Sequence, residues 1–184
     1  MRHRQSFNSW MLAATLGLCA TGVHAALAVG DTAPDFTVQA AQAGHEFSLS
    51  LADSLKKGPV VLYFYPKAFT SGCTAEAHEF AEATPTFNAL GATVVGMSTD
   101  DIATLKKFSV EACRDKFAVA ADLAGGVTKQ YDASFGPGAE RASRISYVIS
   151  PAGKVVYVYA SPDPQEHVRR TLAAVEQWKV GKSP

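Results

Sequence analysis

Val60-Val61-Leu62-Tyr63-Phe64-Tyr65-Pro66-Lys67-Ala68-Phe69-Thr70-Ser71-Gly72-Cys73-Thr74-Ala75-Glu76 is the stretch from which the fold is read. Its first six residues are aliphatic, β-branched or aromatic without a polar break, the pattern of a strand buried on both faces. Pro66 stops that strand, because it has no N–H to give to a ladder. Thr70 or Ser71 is a natural N-cap, and a helix follows from about residue 73 to 89, with Ala75, Phe80, Phe87 and Leu90 among its apolar positions. Cys73 then falls in the first turn. The backbone N–H groups there lack intrahelical partners and the helix dipole favours negative charge, so the reactive thiolate is favoured. Loops at the ends of parallel strands are also where α/β proteins place their sites. The plainer reading is a buried cysteine acting as a small hydrophobe; flanks of Ser71, Gly72 and Thr74 argue against it.

Working outward, residues 26 to 59 are rich in turn formers (Gly30, Asp31, Pro34, Asp35, Gly44, Gly58, Pro59) and read as an irregular lead-in with one or two short strands. Pro85 is expected to kink or end the first long helix. Thr93 to Met97 reads as a strand, and Asp100 or Asp101 caps a helix whose apolar face includes Ile102, Leu105 and Phe108. Phe117 to Ala120 is a short strand and Gly125 to Tyr131 a short helix. Ile145 to Ile149 and Val155 to Tyr159 form two strands joined at Ser150-Pro151-Ala152-Gly153, and Pro164 opens a last helix to about Trp178. The order β-α-β-α-β-α-β-β-α implies an α/β fold of three layers, with the closing hairpin making the central sheet mixed. There are no repeats and no linker, so residues 26–184 form one domain. Tyr63, Phe64, Phe69 and Trp178 read as packing residues or, near the site, as pocket lining.

The first 25 residues differ from the rest. Arg2, His3 and Arg4 are followed by an almost uncharged run from Trp10 to Ala20 and then by Val23-His24-Ala25, with small residues where a signal peptidase wants them. The apolar run is about half of the roughly 20 residues that cross a bilayer, so residues 1–25 read as a secretory signal peptide rather than an anchor, and the protein as exported, into the periplasm. Cleavage after Ala25 leaves 15 basic against 17 acidic side chains, a net charge of −2. Nothing in that balance suggests nucleic acid or an anionic membrane surface as partner. It also removes Cys19 and leaves Cys73 and Cys113. Two cysteines in an exported protein invite a disulfide, either a permanent bridge or one that forms and breaks in turnover.

Pro66, Thr70 and Cys73 match the signature Pro, three residues, Thr, two residues, Cys without a gap. With Thr74, Glu76, the lead-in Val29-Gly30-Asp31-Thr32-Ala33-Pro34-Asp35-Phe36 and the strand Arg144-Ile145-Ser146-Tyr147-Val148-Ile149, the chain resembles the peroxiredoxins, in particular the bacterioferritin comigratory protein or PrxQ subgroup, over about residues 29 to 180. The resemblance implies a thioredoxin-like fold and a thiol peroxidase acting on hydrogen peroxide and organic hydroperoxides. Cys73 would be the nucleophile that becomes sulfenic acid. Thr70 would hydrogen-bond thiolate and peroxide, Pro66 would shield the sulfur, and Arg144 would hold the sulfur anionic and stabilise charge along the S–O–O axis. No metal or organic cofactor is needed, because the thiolate is the reductant. The expected partners are the peroxide and a thioredoxin- or glutaredoxin-like donor, with no nucleic acid and no stable membrane association, for a monomer or homodimer.

Many relatives carry a second cysteine five residues after the first, where this chain has His78; others carry it near Ser109. Cys113, one helical turn beyond Ser109, takes the role of resolving cysteine, and His78 reads as a solvated helix residue or a group tuning the sulfur. Three other functions fit the fold less well. A thiol–disulfide oxidoreductase wants a cysteine at Glu76 and a proline within residues 139 to 150, which hold none. A copper-delivering protein wants one at Ala77. A binding module would be stapled by a passive Cys73–Cys113 bridge.

Overall fold

The computed structural model describes residues 26–136 and 138–181; the expected signal peptide, residues 1–25, lies outside them. The elements run β1 (Thr37–Gln42), β2 (His45–Ser50), α1 (Leu51–Leu55), β3 (Val60–Phe64), α2 (Ser71–Ala89), β4 (Thr93–Ser98), α3 (Ile102–Glu111), β5 (Ala118–Ala121), α4 (Gly126–Gln130), β6 (Ile145–Ile149), β7 (Val155–Ala160) and α5 (Gln165–Lys179). Seven strands make one sheet in the order β2-β1-β5-β4-β3-β6-β7. The β3–β4 and β4–β5 pairs are parallel and the others antiparallel, so the sheet is mixed, as the sequence pattern implies.

β3 is central because both of its faces are apolar. Val61, Tyr63 and the following Tyr65 point into the core shared with α2, α3 and α5, while Val60, Leu62 and Phe64 point into the core that includes residues of α1 and α4. The pleat alternates these side chains between the two cores, giving three layers. Its neighbours β4 and β6 run on either side of it in full register, Tyr63 opposite Gly96 and Ser146.

Three details differ from the sequence reading. The lead-in is an ordered hairpin, β1 with β2, turned at Ala43 and Gly44, both at positive φ (50° and 77°). A five-residue helix, α1, follows it, capped by the Ser50 hydroxyl accepting from the Asp53 N–H. Pro85 neither ends nor interrupts α2. Its missing N–H costs the helix one bond, about 3 kcal/mol with the ring clash, but Phe80, Ala81, Thr84 and Phe87 around it are buried, and that burial holds the helix through the defect.

Gly96 shows how tightly the central strands fit. A Cβ there would lie 2.8 Å from Cζ and 2.9 Å from Oη of Tyr63, whose ring is fixed by stacking on Phe80 at 4.3 Å between centroids. Gly96→Ala should lower the urea midpoint by an amount equivalent to about 1–3 kcal/mol, the usual cost of overpacking; an unchanged midpoint would show that Tyr63 has room to move.

Candidate active site

The loop between β3 and α2 is built under strain. Phe69 has φ 64°, a left-handed conformation that a bulky side chain rarely adopts. Its ring is half-exposed and meets Phe108 of α3 edge-on at 5.2 Å. Asp100 holds the loop from below: one carboxylate oxygen accepts from the Ala68 N–H at 2.7 Å and from the Ser98 hydroxyl at 2.8 Å. Thr70 is the N-cap residue of α2, with extended backbone (ψ 150°) but no side-chain capping bond. Its hydroxyl donates to the Lys67 carbonyl at 2.9 Å. The expected bond from Thr70 to the sulfur is therefore not made in this state; with its proton committed to Lys67, the oxygen is left to accept. Pro66 and Lys67 line an open groove together with Asp100 and Leu123.

Cys73 is the third residue of α2 and is buried. Arg144, just before β6, reaches it across the β3–β6 edge: Nη2 donates to Cys73 Sγ at 3.4 Å, Nη1 to Oε2 of Glu76, and Nε to the Pro162 carbonyl at 3.2 Å. Gly72 makes room for this, since a Cβ there would lie 3.3 Å from Nη2. Burial works against the charge of Arg144, but Glu76 and Cys73 more than restore it and raise its pKa. The sequence placed Cys73, Thr70, Pro66 and Arg144 in one site; the structure brings Cys73 and Arg144 into contact and sets Thr70 and Pro66 in the loop leading to them.

Two further residues stand behind Arg144, and neither was singled out for a role. Glu76 is fully buried, and burial raises its carboxyl to about 8 in spite of Arg144. Its other oxygen, Oε1, has no hydrogen-bond partner among the described residues and lies 3.9 Å from Nδ1 of His167. His167, on α5, is also fully buried. Its Nε2 lies 3.0 Å from the Ser161 carbonyl, which can only accept, so Nε2 carries the proton. Nδ1, 2.8 Å from the Ser146 hydroxyl, then accepts from it. Burial lowers the imidazole to about 4, consistent with this neutral tautomer. Glu76 could have been found from its i,i+3 spacing to Cys73, which puts the two on one helix face. His167 is joined to the site only by tertiary packing and left no signal.

Cys113 lies just past α3, fully buried and in the same apolar cluster as Cys73; both are free thiols. Burial pushes its thiol pKa well up. Arg114 and Asp115 after it both have positive φ, 51° and 62°. Ser109, one turn earlier, uses its hydroxyl structurally, accepting from the Gly44 N–H at 3.0 Å and donating to the Lys106 carbonyl at 2.8 Å. His78 is half-buried on α2, and among the described residues no hydrogen bond or ion pair links it to Cys73. No group of three or more His, Cys, Asp or Glu among the described residues is placed to hold a metal, and none of their helices is long and apolar enough to cross a membrane.

A buried thiol at a helix N-terminus, paired with one guanidinium on a thioredoxin-like sheet, defines a cysteine-based redox protein. Residues 29–158 match the model of the AhpC/TSA family. The chain is 34% identical over 148 residues to the chloroplastic peroxiredoxin Q of rice, covering 80% of this chain and 66% of that one. It is 34% identical over 155 residues to a putative peroxiredoxin of Mycobacterium tuberculosis, covering 83% and 98%. Among solved structures it resembles the peroxidoxin BcpB of M. tuberculosis, with TM-score 0.72 and 32% identity over 80% of this chain and 96% of that one. The AhpC of the same organism, at TM-score 0.75 and 17% identity over 86% and 96%, shares the fold. The chain belongs to the AhpC/TSA family, the peroxiredoxins, and sits with the Q-type members.

The buried acid and imidazole act oppositely on stability. The folded chain keeps a proton on Glu76 up to about 8 that the unfolded chain releases near 4.5, so stability falls as pH rises between those values. The unfolded chain protonates His167 near 6.5 and the folded chain only near 4, so stability also falls as pH drops through that window. The two slopes offset between about 4.5 and 6.5, leaving a net loss from 6.5 to 8 of up to ~1.4 kcal/mol per pH unit. Denaturant melts of the reduced wild type and of Glu76→Gln across that range should show the wild type losing stability relative to the variant as pH rises, the other titrating groups being common to both; a stability difference that does not change with pH would contradict the assignment.

Proposed function

We propose that this protein is an exported thiol peroxidase that reduces hydrogen peroxide and organic hydroperoxides through Cys73. The observation that carries the reading is Arg144 Nη2 at 3.4 Å from a cysteine sulfur in the first turn of α2. A peroxide is a weak-bonded electrophile, and a thiolate held by fixed positive charge can attack it without a cofactor. The sulfur lone pair forms an S–O bond with the nearer peroxide oxygen and the O–O bond breaks. The departing oxygen leaves as alkoxide or hydroxide and takes a proton from solvent, and Cys73 becomes sulfenic acid. The Arg144 charge faces the sulfur as the anion shifts along S–O–O, and the Thr70 hydroxyl, its proton bound to Lys67, can accept from the peroxide O–H.

Cys113 resolves the sulfenic acid: its thiol attacks Cys73 sulfur, a disulfide forms and water leaves. A dithiol donor of the thioredoxin or glutaredoxin type then returns both thiols. A disulfide needs Cβ atoms about 3.8 Å apart; both thiols are free and buried in this structure, and bridging them draws on opening of the α3 exit. Arg114 and Asp115 in strained left-handed conformations at that exit support such opening. A thiol–disulfide reductase is disfavoured by Glu76, which stands where its second cysteine would be and is engaged by Arg144.

Cys73→Ser should abolish peroxide consumption with the fold intact, because a serine hydroxyl hardly ionises near neutral pH; turnover by that variant would refute the reading. Cys113→Ser should leave the first peroxide reaction nearly unchanged, block recycling by thioredoxin and over-oxidise readily. Normal turnover of Cys113→Ser would show instead that an external thiol resolves Cys73. The apolar run before Val23-His24-Ala25 supports export. Mass spectrometry of protein from a native extract should find the N-terminus near Ala26, and Met1 on membrane-extracted protein would favour a retained anchor.

A further inference from the structure

Among the described residues, Arg144 is the only cationic side chain hydrogen-bonded to Cys73 or to Glu76, and it serves both. Arg144 and Glu76 side chains are almost or wholly out of solvent (8% and 0% exposed). Two ionised acids against one buried cation leave a net negative charge in a medium that stabilises it poorly. One ionised acid against one cation is neutral. The second acid is best kept protonated, and the geometry shows which can be. Among the described residues, Oε1 of Glu76 has no hydrogen-bond partner. The atom facing it, Nδ1 of His167 at 3.9 Å, is engaged by the Ser146 hydroxyl as an acceptor and brings a lone pair rather than an N–H. The other ionisable groups around it do not stabilise a carboxylate. Glu79 of α2 acts on Glu76 as a like charge, Tyr63 of β3 is a neutral phenol whose burial holds its pKa well above the usual range, and Asp163 of the β7–α5 loop acts on Glu79 and His167.

We propose that Glu76 is the proton-holding partner of Cys73: the two acids share the single charge of Arg144, Glu76 keeps its proton while the sulfur is ionised, and gives it up when the sulfur becomes neutral. This rests on the reading of Cys73 as the thiolate that attacks peroxide. The balance closes. Thiolate, peroxide and protonated Glu76 become sulfenic acid, alcohol or water, and ionised Glu76, with the S–O bond formed and the O–O bond broken. The proton that Glu76 releases to solvent equals the one the leaving oxygen takes up. Arg144 then passes from the sulfur to the carboxylate. Glu76 is a positioning residue in this scheme, acting through Arg144, and His167 keeps it so by offering no proton to Oε1.

Glu76→Gln keeps the shape and the acceptor for Arg144 Nη1 but cannot exchange a proton. The rate constant for peroxide with reduced protein should be measured from about pH 6 to 9.5. The wild type is expected to lose rate above about 8, where Glu76 ionises and competes for Arg144. Glu76→Gln is expected to show no such falling limb and to react on the order of tenfold faster than wild type at the alkaline end, the effect of removing one unit of interaction between adjacent charges. The second measurement uses the unmutated protein and needs no peroxidase activity. Alkylating Cys73 with iodoacetamide at pH 7 neutralises the sulfur, and the infrared difference spectrum should lose a protonated-carboxyl band and gain a carboxylate band, a change absent in Glu76→Gln. A falling limb that persists in Glu76→Gln, a variant as slow as Arg144→Met at neutral pH, or no carboxyl change on alkylation would each overturn the proposal. Wild type that alkylates with the carboxyl change but consumes no peroxide would refute the peroxidase reading and leave the shared proton standing.

Discussion

Arg144 is buried, and its guanidinium has three places to be: at the Cys73 sulfur, at Glu76 and at the Pro162 carbonyl. Those three partners belong to the start of α2, the body of α2 and the loop into α5. A planar guanidinium offers donors in a fixed fork, so satisfying all three fixes how α2 and the β7–α5 loop sit against the start of β6. Desolvating such a charge is costly unless it is fully paired. The geometry of the sulfur is therefore a consequence of the need to satisfy one cation. Gly72 belongs to the same constraint, because any side chain there would crowd Nη2. His167 extends it by tying Ser161, beside Pro162, to Ser146, two residues beyond Arg144.

The opposite side of the site is held by the strained loop. Phe69 at positive φ turns the chain from the end of β3 into α2, and the Asp100 carboxylate and the Phe108 ring keep it there. Phe108 lies five residues before Cys113, whose N–H donates to the Phe108 carbonyl at 3.0 Å. The loop that frames Cys73 and the segment that carries Cys113 thus share one aromatic contact. Tyr63 and Tyr65 add to this wall, each buried in the same apolar cluster as both cysteines.

How much of this was legible in the sequence follows from the range of each interaction. β3 and β6 were readable nearly to the residue because each is a short, mostly apolar and β-branched or aromatic run buried on both faces and bounded by turn formers. The start of α2 was readable because capping chemistry is local. Pro85 misled because the rule against it is local and the burial of Phe80 and Phe87 that overrides it is not. The β1–β2 hairpin and α1 were blurred by short length and frequent turn formers. Arg144 was placed by family resemblance, and the role of Glu76 needed its partner to be seen. His167, 91 positions from Glu76 in sequence, meets it only once α5 packs on β6 and α2.

The central claim is that Cys73, and not Cys113, is the sulfur that meets peroxide first. One equivalent of hydrogen peroxide added to the reduced protein in the presence of dimedone, followed by tryptic mass spectrometry, tests it most directly. Trapping of sulfenic acid on the Cys73 peptide, with Cys113 unmodified or recovered in a bridge to Cys73, is the predicted result. Dimedone carried by Cys113, or by neither cysteine while peroxide is consumed, would contradict the account.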